Sequence, residues 1–149
     1  MVFVGGLLVV LIIIGVALSF INDGVLKRVR VVIGEQVIYV EVADNPEARA
    51  RGLSFRNSIG PNDGMLFVFD SPGSHGFWMK DMIFPIDIIW ISSDKVVGFE
   101  ENVDPQIGAQ AEDLKIYYPP ELVNRALEIR AGGVGRLGVH AGDQVLVRL

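Results

Sequence analysis

Two hydrophobic patterns divide the chain. From Val2 to Ile21 Val, Leu and Ile predominate and no charged residue occurs, and about 20 such residues match the hydrocarbon thickness of a bilayer. The run is apolar on every face of any helix it forms, which argues against a buried core helix. Residues 1–22 therefore read as a transmembrane anchor or an export signal. The only charge ahead of the apolar run is the α-amine, and Ala17-Leu18-Ser19 is a modest cleavage site, so an uncleaved single-pass anchor is favoured. Lys27, Arg28 and Arg30 follow closely, and the positive-inside tendency alone would leave the body in the cytoplasm.

Beyond residue 25 the period shortens to that of strands, and residues 25–149 read as a single β-rich domain. Leu26 to Ile33 and Gln36 to Val42 are β-branched runs on either side of Gly34-Glu35, a hairpin signal. A short helix follows, with Asn45 as its cap, Pro46 in its first turn, Glu47 near its positive end and Gly52 as its stop. Arg49 and Arg51 fall near its negative end. Alternation resumes from Met65 to Asp70, and Gly76 to Lys80 reads as a further extended segment with Trp78 and Lys80 on one side.

Ile86 to Ile91 and Val96 to Glu101 flank Ser92-Ser93-Asp94-Lys95 as a second hairpin. From Asn102 to Pro120 periodicity fails and a long loop is expected, ending at Tyr117-Tyr118. A strand over 125–130, a glycine-weakened helix over 133–137 and a last strand over 144–149 complete the chain. The fold class that follows is mainly β, as a β-sandwich or a barrel-like sheet with two short helices, preceded by one N-terminal transmembrane helix.

Composition narrows the chemistry. The net charge of −5 comes without a basic stripe, which argues against nucleic acid as a partner. The chain has no cysteine, which excludes a disulfide framework, a thiol nucleophile and a thiolate zinc site. His75 and His140 lie far apart without ligand-spaced neighbours, so neither a metal nor another cofactor is expected. Nothing in the sequence supplies a Gly-x-Ser-x-Gly elbow or a P-loop.

The informative stretch runs from Gly64 to Ile91, where phenylalanines and tryptophans are interleaved with Asp70, His75, Lys80, Asp81 and Asp87. Asp87 shares a strand face with Ile89 and Ile91, where an unpaired carboxylate would cost several kcal/mol. It calls for a partner, with Lys80 and Arg51 as candidates, either as a structural pair or as half of an acid/base site. Trp78 and Lys80 together offer a flat apolar surface beside a cation, suited to a sugar ring or an anionic group. His75 in its Ser-Pro-Gly-Ser-His-Gly loop could serve as a general base, although a solvated loop histidine is the simpler reading. Tyr117 and Tyr118 would form a binding lip or pin the loop to the body. Glu100, Glu101 and Glu128 read as surface residues, since Glu128 alternates with Leu127 and Ile129 and so faces away from the core.

Several ordered motifs carry a resemblance. Ala50-Arg51-Gly52-Leu53-Ser54-Phe55-Arg56, Gly64-Met65-Leu66-Phe67-Val68-Phe69, Phe77-Trp78-Met79-Lys80, Pro85-Ile86-Asp87-Ile88-Ile89 and Glu101-Asn102-Val103 are similar to the successive signatures of the domain of unknown function 192 family. The likeness runs from about Val29 to the C-terminus. It implies a β-sandwich-like fold, frequently behind a signal peptide or membrane anchor, with no established activity. It also tilts the expected location toward the extracytoplasmic side, against the local count of basic residues. Arg51, Arg56, Trp78, Lys80 and Asp87 fall on the family's motifs and are the candidate pocket, with His75, Tyr117 and Tyr118 as secondary candidates. Asp81 departs from the asparagine more usual after Met-Lys, which places negative charge beside Lys80.

Three functions follow as expectations. The first is a membrane-anchored binding module for a small molecule or an envelope polymer, using Trp78, Lys80 and Arg51. The second is an accessory domain that docks a partner protein through the 102–120 loop. The third is an acid/base hydrolase using Asp87 with His75 or Lys80.

Overall fold

A computed structural model describes residues 25–148. The expected transmembrane helix lies outside the described residues, and no described helix is long and apolar enough to cross a membrane.

Seven strands form one sheet: β1 Arg28–Ile33, β2 Gln36–Ala43, β3 Asp63–Gly73, β4 Ile86–Ser92, β5 Lys95–Val103, β6 Val123–Arg130 and β7 Val145–Arg148. Their spatial order is β5-β4-β6-β3-β2-β1-β7. Every pairing is antiparallel except β2 with β3, which run parallel because helix α1 Pro46–Arg51 lies in the connection between them. Of the two forms that the sequence allows, the barrel-like one is adopted. The sheet curls until Lys95 at the start of β5 bridges Gln144 just before β7, and Val145 donates its N–H to the Asp94 carbonyl at 2.7 Å. The result is a half-barrel.

Local signals explain the elements. The β1–β2 hairpin turns at Gly34-Glu35, where Gly34 takes φ +60°. Asn45 caps α1 by accepting the Ala48 N–H at 2.9 Å, and Pro46 occupies the first helical turn. A second short helix, α2 Gly133–Leu137, forms between glycines in the left-handed conformation at 132 and 138.

The curl has two packed faces. Inside it Val31, Val40, Leu66, Ile89, Leu127 and Ile129 pack together, and α2 plugs the interior with Val134 and Leu137. The outer face of β3, β4 and β6 is also buried, with Met65, Phe67, Ile88, Trp90 and Ala126 covered by Leu53, Phe77, Met79 and Met82. Strand β4 is consequently buried on both sides.

The extended segment expected over 76–80 does not join the sheet. Residues 76–80 form an irregular segment whose single bridge joins Phe77 to Tyr117, through N–H to carbonyl bonds of 2.9 and 2.8 Å in both directions. Gly73 ends β3 and a turn at Lys80-Asp81 bends the chain away, so the segment lies across the outer face as a cover and adds no strand to the sheet.

Candidate functional site

Glu128 occupies the centre of the outer face. It sits on β6 opposite Met65 of β3 and Ile88 of β4, both fully buried apolar residues. The alternation along β6 does point it away from the inner core. The outer face is itself covered, however, so the surface position expected for Glu128 is corrected: it is only 5% exposed. Burial pushes its carboxyl up to about 8, with no charged neighbour contributing. No hydrogen bond to its side chain is found among the described residues. A group in that condition is predominantly protonated at neutral pH and presents an O–H donor.

Above Glu128 lies a cleft of about 260 Å³, bounded by the end of α1 and the 76–82 segment. Phe67, Phe77 and Trp78 supply aromatic walls, and Arg49 and Arg51 contribute positive charge. The sheet provides the rigid side. Phe77 is held edge-to-face between Phe67 at 4.9 Å and Trp90 at 5.3 Å. On the helical side Gly52 ends α1 at φ +51°, ψ −134°, a conformation that suits glycine, and a Cβ there would stand 3.2 Å from the Phe67 ring. This close approach brings both arginines to the cleft. Arg49 donates to the Val68 carbonyl at 2.9 Å, and its guanidinium lies 5.5 Å from the centre of the Phe69 ring.

The residues singled out in the sequence distribute over several places. Arg51 and Trp78 line this cleft, with Trp78 half-exposed. Lys80 stands 5.7 Å from the Trp78 ring on the outer side, so the two do share a surface. Arg56 lines a neighbouring hollow that Arg51 also borders, and it grips Glu41 with two bonds of 2.8 and 2.5 Å. That pairing holds the Glu41 carboxyl below its usual range, chiefly through the hydrogen bond from Arg56.

Asp87 does not join them. It is fully buried on the inner side of β4, and the expected partnership with Lys80 or Arg51 is corrected by its actual partners, which are backbone amides. Its Oδ1 accepts the N–H groups of Asn102 at 2.8 Å and Gly132 at 3.2 Å, and its Oδ2 accepts that of Val134 at 2.8 Å. Gly132, the residue before α2, has no side chain to cap the helix, and Asp87 performs that capping from a distant strand.

His75 stacks flat on Phe69 at 3.6 Å, with Nε2 at 3.1 Å from the Ser71 carbonyl. Tyr117 pins the long loop to the cover segment through its bridge to Phe77. Tyr118 is exposed and overlies Gly76, where a Cβ would come within 2.9 Å of its ring. Glu128 is the residue that sequence reasoning missed. A signal was available in the number of large apolar residues on both faces of 86–91, which requires a cover over the outer face as well.

The sequence pattern of the DUF192 family, described as an uncharacterized ACR, matches residues 29–147. Two solved structures are similar. One is a candidate transcription regulator from Sinorhizobium meliloti 1021, at 31% identity and a TM-score of 0.76, covering 85% of this chain and 98% of that one. The other is a protein of unknown function from Novosphingobium aromaticivorans DSM 12444, at 28% identity and a TM-score of 0.71, covering 85% of this chain and 89% of that one. No curated protein matches.

Proposed function

The chain belongs to the DUF192 family, and from that premise we propose that its body is a binding module that holds a small, largely apolar ligand bearing an anionic group. The observation that carries this reading is Glu128, a buried carboxyl without a hydrogen-bond partner among the described residues, which borders a cleft with aromatic walls. A polar group in such a position is stabilised by a partner that the cleft can admit. The protonated acid donates one hydrogen bond to a ligand oxygen, the rings of Phe67 and Phe77 take the apolar part, and the arginines favour negative charge at the opening.

The experiment is a titration of the full chain with benzoate, phenylacetate and hexanoate, followed by tryptophan fluorescence between pH 6 and pH 10. Binding should be strongest below pH 8 and weaken about tenfold per unit above it, because the ionised carboxyl cannot donate. Glu128→Gln retains a donor and should bind with no such pH dependence, whereas Glu128→Leu should not bind. No binding of any of the three, or binding that does not weaken as pH rises through 8, would defeat the proposal.

Support for the other readings is thinner. Asp87 offers a hydrolase little, since three backbone amides occupy its oxygens. A regulatory role of the kind named for the Sinorhizobium relative draws no support from the sequence if it needs nucleic acid, since Lys and Arg are scattered along a chain of net charge −5. Membrane attachment rests on the uncharged run from Val2 to Ile21.

A further inference from the structure

We infer that the face formed by Phe55, Ile83 and Ile107 rests in the interfacial layer of a lipid bilayer, beside the point where the N-terminal segment enters the body. This face is separate from the Glu128 cleft and the inference does not depend on that reading. Phe55, Ile83 and Ile107 are 74%, 55% and 76% exposed, and they border one groove of about 440 Å³ backed by Met82 and Leu114. Large apolar side chains clustered at this exposure mark a contact surface.

Backbone geometry shows that this exposure is built in. Phe55 adopts φ +66°, in the left-handed region that bulky residues avoid. Its N–H donates to the Asp81 carbonyl at 3.0 Å, and Asp81 is itself at φ +56°. Two left-handed residues thus hold each other in place with the phenyl ring in solvent. The phenyl ring belongs to neither packed core, and strain without a return in core packing points to function.

The occupant is indicated by where the chain runs. Phe55 also borders the hollow lined by Val25 and Leu26, the first described residues, and Val25 is 98% exposed. Immediately before them the sequence holds 24 residues, of which Val2 to Ile21 carry no charge and suffice to span a bilayer. A body tethered at Val25 to such a segment brings Phe55 to the surface first, with Ile83 and Ile107 alongside. Lys80 borders the groove, while Arg28 and Arg56 border the hollow and are paired there with Asp63 and Glu41.

The test uses the full chain in phosphatidylcholine vesicles with acyl chains brominated near the headgroup. Tryptophan is introduced singly as Phe55→Trp, Ile107→Trp and, at the far end of β5, Lys95→Trp. Bromine should quench most of the added emission at 55 and 107 and little at 95. Ile107→Trp lies in a loop of ordinary backbone and serves if Phe55→Trp does not fold. Failure of the chain to float with vesicles, flotation with equal quenching at all three positions, or self-association in place of quenching at 107 would each overturn the inference.

Discussion

Asp87 and Val134 meet at 2.8 Å, with a carboxylate oxygen of strand β4 accepting the N–H of the second residue of helix α2. Together with the bonds from Asn102 and Gly132, this contact fastens the end of β5 and the plug helix to the centre of the sheet. Its removal leaves three amides to find other acceptors. Asp87→Ala should cost at least about 3 kcal/mol in chemical denaturation, and Asp87→Asn less, because one oxygen remains. Benzoate binding measured on whatever folds should be unchanged, since the cleft lies on the other face.

Glu128 makes stability depend on pH in the opposite sense to most carboxylates. Its folded value is raised from 4.5 to about 8. Below pH 4.5 both folded and unfolded chains hold the proton. Between 4.5 and 8 the unfolded chain releases it and the folded chain does not, so stability falls as pH rises through that window. Glu128→Gln should therefore stabilise the protein by about 3 kcal/mol at pH 7, at 1.36 kcal/mol per unit, and make no difference at pH 4. Denaturant midpoints at the two pH values measure both.

The Glu41–Arg56 pair acts the usual way. Glu41 is held below its ordinary value, first by the hydrogen bond from Arg56 and then by the charges of Arg56 and Arg28, with burial opposing. Its contribution is complete above the unfolded value and is lost as pH falls through the folded one. Arg56→Gln should cost about 1 kcal/mol at pH 7, after allowance for solvent screening of a partly exposed pair. At pH 2 wild type and variant should unfold alike.

Phe55 holds a strained backbone, and asparagine tolerates the left-handed region better. Phe55→Asn should leave the melting temperature unchanged or raise it, by a gain of about 1 kcal/mol. A large loss would show that the exposed ring packs against the body.

Gly64 marks a close approach between β3 and β6. A Cβ there would stand 2.5 Å from the Glu128 backbone carbonyl oxygen, a fixed atom. Gly64→Ala should cost about 2 kcal/mol by forcing β3 and β6 apart. Tryptophan emission should shift as well, since the same movement displaces Glu128 below the cleft.

Elements governed by neighbours in sequence were legible in advance. The Gly34 hairpin, the Asn45 cap, the β4–β5 hairpin and the helix over 133–137 all follow from local turn and capping chemistry, and the structure contains each of them. What escaped depends on residues distant in sequence. The segment 76–80 joins no strand because pairing needs an edge, and among the described residues the bridge it makes is to Tyr117 of the long loop. Asp87 was recognised as needing partners, but they proved to be amides of segments whose position no spacing rule supplies. Glu128 was misplaced for a related reason: alternation tells which face a side chain takes, not what lies over that face. Of the candidate pocket, Arg51 and Trp78 reach one cleft, and Lys80 stands outside it against Trp78.

Strand β6 lies between β4 and β3 although it is made after both, so residues 123–130 join two halves that otherwise meet only where the start of β5 touches the segment before β7, which is made later still. During synthesis the β4–β5 hairpin and the strands ahead of it wait, each with an apolar flank open to water, until almost the last fifth of the polypeptide has been delivered. A nascent chain stalled before residue 123 is then an adhesive fragment rather than a smaller version of the fold, and holdase chaperones would find it a ready client.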